Sequence, residues 1–120
     1  GLAFKPGTDD MREAPSETII RHLVDHGAEV VAFDPVAEER AKEMFDQGVS
    51  YADVDLDALD GAEALIVCTD WDQFKNPDLA GMKQRMAEPV VFDGRNIYRP
   101  DDMARAGFTY YSVGRAPVGG

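Results

Sequence analysis

The stretch GLAFKPGTDDMREAP, residues 1–15, decides the fold, because a short apolar run passes through a dense polar loop and straight on towards a helix. Leu2 to Phe4 read as the remainder of a first strand, and the abrupt start inside that strand reads as a piece of a longer protein. Lys5 stands at the strand's end. Pro6 and Gly7 then turn the chain, Thr8, Asp9 and Asp10 offer hydrogen bonds to free backbone groups, and Arg12 supplies a second cation. Ligands of open α/β sheets sit where strands end and helices begin, so this loop is where a phosphorylated ligand is expected.

Working outward, strand and helix signals alternate to the C-terminus. Ile19, Ile20, Leu23 and Val24 repeat at helical spacing and Gly27 follows, which predicts a helix over about Ser16–His26. The run from Glu29 to Phe33 is apolar and β-branched and stops at Asp34-Pro35, a buried strand followed by a turn. An amphipathic helix is expected over Ala37–Asp46, a short edge strand over Val49–Tyr51, and a short acidic helix in DVDLDALD before Gly61. Ala64–Cys68, Val90–Phe92 and Phe108–Ser112 read as strands, with helices over about Leu79–Met86 and Asp101–Ala106.

Such alternation, with strands as near-continuous apolar runs, predicts a three-layer α/β domain of Rossmann-like type. Its sheet would be mainly parallel, with helices on both faces. Right-handed crossovers would then bring the loops after Phe4, Phe33, Cys68 and Phe92 to one edge. Residues 1–113 form this single domain and 114–120 read as a tail. No internal repeat, linker or low-complexity segment interrupts it.

The net charge is −11, from 23 acidic and 12 basic residues among 120. That balance argues against nucleic acid or an anionic membrane as partner of the whole surface. Any anion must be held locally, which draws attention to Lys5, Arg12, Arg95 and Arg99 near the strand ends. The sequence shows no long apolar run and no leader segment, so a cytoplasmic location is expected.

The loop in VVFDGRN, Val90–Asn96, has Gly94 for a tight turn and Asp93 and Asn96 to fix it by side-chain bonds. Arg95 projects from the same edge as Lys5, so two cations from distant loops can meet on one anionic ligand. Asp93 and Arg95 can equally form a structural pair. In TDWDQF, Trp71 and Phe74 either pack the first helical turn onto the sheet or touch a ligand or a neighbouring domain.

A dinucleotide cradle needs G-x-G-x-x-G between first strand and first helix, and that motif is absent. Asp34 stands where a ribose-binding acid would, yet without the glycines a plain Asp-Pro turn is favoured. Cys68, the single cysteine, sits in an apolar strand and reads as an inert core thiol. His22 and His26 share a helix face but have no recognisable third ligand, and no metal is assigned. No catalytic constellation is present, so the chain by itself should bind and not catalyse.

With GLAFKPGTDDMREAP, TDWDQF, FDGRN and the closing YYSVGR, the chain resembles the C-terminal domain of the UDP-glucose/GDP-mannose dehydrogenase family over essentially its whole length. The likeness is closest to bacterial members acting on UDP-glucose. It implies a UDP-sugar-binding domain of an enzyme that oxidises UDP-glucose to UDP-glucuronate with two NAD. An N-terminal domain would hold NAD and the catalytic cysteine, and a central region would form a homodimer. The resemblance places Phe4, Lys5 and Arg95 at substrate-binding positions and Arg12 at a position contacting NAD held by the other domain. Rival readings are sister enzymes acting on UDP-N-acetylmannosamine or GDP-mannose, a free-standing sugar-nucleotide-binding regulatory module, and an unrelated flavodoxin-like interaction domain.

Overall fold

A computed structural model of the chain describes residues 1–12, 14–45 and 47–119. Its strands are β1 (Val30–Ala32), β2 (Val49–Tyr51), β3 (Leu65–Val67), β4 (Val90–Asp93) and β5 (Thr109–Ser112). Its helices are α1 (Pro15–Asp25), α2 (Glu38–Met44), α3 (Leu79–Arg85) and α4 (Pro100–Arg105), with single 3₁₀ turns at Leu56–Leu59 and Asp72–Phe74. Every ladder between these strands is parallel, as the apolar runs and intervening helices require. The helix expected to reach Asp46 ends at Met44, and Asp46 itself lies outside the described residues.

Two features depart from the reading of the sequence. The strands form two pieces, β1–β2 and β3–β4–β5, with no ladder joining β1 to β3. Leu2–Phe4 is not a strand. The amides of Leu2 and Ala3 donate to the Asp34 carboxylate at 2.7 and 3.0 Å. Their carbonyls accept from Ser16 Oγ at 2.6 Å and Thr69 Oγ1 at 2.7 Å. Side chains thus satisfy the backbone groups that a ladder would otherwise have used.

Each piece has its own core. Leu2, Ala3, Met11, Ile20, Ala32, Ala37, Ala41 and Phe45 pack around β1 and β2. Val67, Met82, Val91, Met103, Phe108 and Tyr110 pack around the larger piece, with α3 and α4 over one of its faces. Residues 114–119, expected as a tail, fold back so that Val118 and Tyr110 exchange antiparallel backbone bonds of 2.9 and 3.0 Å.

Candidate functional site

The C-terminal ends of β1, β3 and β4 and the loop after Ala3 meet at one rim, held by two buried aspartates and one arginine. Asp34 closes β1. Its Oδ2 accepts the Leu2 and Ala3 amides and the Trp71 indole N–H at 3.3 Å, and its Oδ1 accepts the Val36 and Ala37 amides at 2.9 and 2.8 Å. Burial works against its charge. The backbone N–H groups of Leu2, Val36, Ala3 and Ala37 outweigh that and hold the carboxyl below its ordinary range. Trp71 therefore ties the loop after β3 to the end of β1, and Phe74 meets Phe33 edge-on at 6.1 Å.

Asp93 closes β4 in the same way. Its carboxylate accepts the amides of Arg95, Ile97 and Tyr98 and, at 2.6 Å, the Tyr110 hydroxyl. The side chains of Asp93 and Arg95 do not pair: Arg95 meets Asp93 through its backbone amide, and its guanidinium bonds elsewhere. Gly94 lets the turn press against β3, since its amide donates to the Val67 carbonyl at 2.9 Å and a Cβ there would stand 3.0 Å from that oxygen. Asn96, at φ 54°, clamps the loop to the one after β5 by exchanging two 2.9 Å bonds with the Val113 backbone.

Arg95 then reaches across the strand ends. Its Nε donates to the Cys68 carbonyl at 2.9 Å, its Nη2 to the Phe4 carbonyl at 2.8 Å, and its Nη1 lies 3.7 Å from the Asp70 carboxylate. The side chain contacting Phe4 is thus adjacent to Lys5. Lys5 and Phe4 are both exposed, and Lys5 makes no hydrogen bond or ion pair among the described residues. Beside Arg95 a shallow pocket of about 290 Å³ opens over Ile66, Phe92 and Tyr111.

Arg12 is held within its own loop, which is tied to Phe4 by the Phe4 amide donating to the Asp10 carbonyl at 2.7 Å. Its Nε and Nη2 hold both oxygens of Asp10 at 3.0 and 2.8 Å, and those bonds lower the Asp10 pKa to about 2. The loop is stiffened further by Asp10 accepting the Arg12 amide, Thr8 accepting that of Asp10, and Arg40 pairing with Asp9 at 2.9 Å. Arg12 remains exposed, and Arg99 is exposed also.

The turn from Leu2–Phe4 to the first helix carries no G-x-G-x-x-G run of the kind that cradles a dinucleotide. The acid at the ribose position, Asp34, is 2% exposed and its oxygens are occupied by five donors. Cys68 is buried and its thiol pKa is raised by burial, an environment opposite to that of a nucleophilic thiolate. His26 spends a ring nitrogen on the His22 carbonyl at 2.8 Å. Nothing local in the sequence singles out Tyr110, whose hydroxyl donates to Asp93 at 2.6 Å. Asp34 was legible only as a turn, because its other partners, Leu2, Ala3 and Trp71, lie more than 30 residues away.

Comparison with known proteins gives one consistent result. The family model described as "UDP-glucose/GDP-mannose dehydrogenase family, UDP binding domain" matches residues 1–100. A UDP-glucose 6-dehydrogenase of Pseudomonas aeruginosa is 44% identical over 99% of this chain and 27% of its own length. One from Bacillus subtilis is 45% identical over 98% of this chain and 27% of its own. Among solved structures, a UDP-glucose dehydrogenase from Pyrobaculum islandicum superposes with a TM-score of 0.79 at 35% identity, covering 97% of this chain and 24% of that one. A UDP-D-ManNAc dehydrogenase from Pyrococcus horikoshii superposes at 0.76 with 28% identity, covering 96% and 24%. The chain spans about a quarter of the length of the relatives it matches.

Proposed function

This chain belongs to the UDP-glucose/GDP-mannose dehydrogenase family as its UDP-binding domain, and from that premise we propose that the rim formed by Phe4, Lys5 and Arg95 seats the UDP-sugar of a UDP-glucose 6-dehydrogenase. The observation that carries the reading is the Arg95 guanidinium bonded to the Phe4 carbonyl, which brings a planar cation from a distant loop to the residue that precedes Lys5. A pyrophosphate suits that pair: the Lys5 ammonium acts as a mobile point charge and the guanidinium as a fixed fork. Because the net charge of −11 repels an anion elsewhere, these cations also decide where the ligand settles.

The longer protein oxidises the sugar's primary alcohol to a carboxylate, with two NAD as hydride acceptors. This chain contributes binding and orientation. NAD and the reactive cysteine are assigned to an N-terminal domain, a reading supported by the missing glycine-rich run and by the burial of Cys68. Arg12, exposed and braced on Asp10, meets that NAD across the domain boundary. A central region joins two such proteins as a homodimer in the cytoplasm. The likeness to the Pyrococcus enzyme makes a UDP-N-acetylmannosamine dehydrogenase the second reading, with the same seat.

In the longer protein, Lys5→Ala should raise KM for UDP-glucose about 10- to 100-fold with kcat nearly unchanged, the equivalent of one charge-assisted contact. Arg95→Lys should do the same with some loss of stability. Initial rates with UDP-glucose, UDP-N-acetylmannosamine and GDP-mannose measure both effects and identify the sugar. An unchanged KM in both variants would refute the seat.

A further inference from the structure

The turn after β5, residues 113–115, touches none of the three side chains assigned to the seat, yet it holds the loop that carries Arg95 at two points. Gly114, at φ 70°, reverses the chain so that Arg115 lies back over β5. The Arg115 Nε donates to Ser112 Oγ at 2.9 Å, and its Nη2 donates to the Tyr110 hydroxyl at 2.8 Å and to the Tyr98 carbonyl at 3.2 Å. A half-buried guanidinium is thereby fixed at three oxygens.

From Arg115 a continuous set of bonds leads to Arg95. The Tyr110 hydroxyl accepts from Arg115 and passes its own proton to the Asp93 carboxylate at 2.6 Å, so a cation and an anion stand at its two ends and strengthen both bonds. Asp93 in turn accepts the amides of Arg95, Ile97 and Tyr98 at 3.0, 2.8 and 3.1 Å. The second hold is the pair of 2.9 Å bonds between Asn96 and the Val113 backbone. Backbone on both sides of Arg95 is therefore tied, directly or through Tyr110, to the turn after β5. The Arg95 fork reaches the Cys68 and Phe4 carbonyls at 2.9 and 2.8 Å, and a displacement of about 1 Å at its backbone would break bonds of that length.

We propose that Arg115 is a positioning residue for the sugar-nucleotide seat: acting through Tyr110 and Asp93, it fixes the loop of residues 93–98 so that the Arg95 guanidinium stands at Phe4 before the ligand arrives. Arg115 lies past residue 100, where the match to the family model stops. The inference rests on the seat proposed above and adds to it a side chain that meets no substrate. A cation already in place loses less freedom on binding, so the gain falls on affinity for the UDP-sugar and not on turnover.

Initial rates of the longer protein, with UDP-glucose and NAD varied in turn, test it through a double-mutant cycle. Arg115→Ala should raise KM for UDP-glucose about three- to tenfold while kcat and KM for NAD stay within about twofold. Arg115→Lys, whose ammonium can take the place of Nη2 at the Tyr110 hydroxyl and the Tyr98 carbonyl, should restore most of that loss. Arg95→Ala should raise KM by itself, and adding Arg115→Ala to it should change KM by less than about twofold, because the group being positioned is gone. A normal KM in Arg115→Ala, with KM raised in Arg95→Ala, would overturn the positioning role and leave the seat standing. A full effect of Arg115→Ala in the Arg95→Ala background would overturn it too, by showing that Arg115 acts on the fold at large. A normal KM in Arg95→Ala would remove the seat and this inference together. Should Arg115→Ala fail to fold, Tyr110→Phe, which deletes only the hydroxyl between Arg115 and Asp93, takes its place in the cycle with the same expected results.

Discussion

Asp34 carries more of the rim than any other side chain, and it does so as an anion. Its pKa is depressed, so its contribution to stability is complete above the ordinary aspartate value near 4 and is lost as pH falls through the lower folded value. Asp34→Asn keeps the size but offers one acceptor oxygen to five donors, leaving buried N–H groups unmatched. We expect it to cost at least about 2 kcal/mol near neutral pH. Urea unfolding across pH should show the two proteins converging in acid, where Asp34 is itself neutral. A constant difference down to the acid limit would mean that shape, not charge, is what the site requires. Cys68 offers a contrasting case at this scale. It is buried, as its place in an apolar run predicts, and burial pushes its thiol pKa up.

Elements were legible where local pattern decides them, and less so where distant side chains do. The apolar runs marked all five strands to within about two residues, and the 3.6-residue spacing of Ile19, Ile20 and Leu23 marked α1. Leu2–Ala3 reads as strand by composition, yet its backbone is held by Asp34, Ser16 and Thr69, which no local window contains. The C-terminal segment was obscured for the same reason. Arg115 donates to the Tyr98 carbonyl at 3.2 Å and the Tyr110 hydroxyl at 2.8 Å, and its guanidinium lies 5.7 Å from the Tyr110 ring centroid. Burial and the bond to Asp93 push the Tyr110 phenol up to about 12. A raised folded value stabilises fully below the unfolded value near 10 and is lost as pH climbs towards 12. The chain should therefore lose stability over that alkaline range, and Tyr110→Phe should flatten the loss while lowering stability at neutral pH by about 1–2 kcal/mol. Thermal unfolding between pH 8 and 12 would show it. An unaltered alkaline limb in Tyr110→Phe would transfer the effect to another group.

For the whole molecule, the gathering of four loops at one edge was legible because it follows from topology: parallel strands with right-handed crossovers leave no other place for them. The division of the sheet into β1–β2 and β3–β4–β5 was not legible, because apolar runs mark strands without fixing which of them pair. The same arrangement sets how this chain should behave alone. It presents Lys5 and Arg95 at the rim, but a UDP-sugar seated there would meet walls on one side only, while the entropic cost of binding is undiminished. We expect UDP to bind the chain at least about tenfold more weakly than the longer protein, and more weakly still as salt screens exposed Lys5. NMR titration should move the amides around Phe4–Lys5 and Gly94–Asn96, which share the Arg95 bridge. NAD should leave those around Asp34 unmoved, since that carboxylate is closed off by the chain's own donors. UDP shifts confined to regions distant from Arg95, or NAD binding at Asp34 with UDP inert, would show that the cations meet at this rim for structural reasons alone.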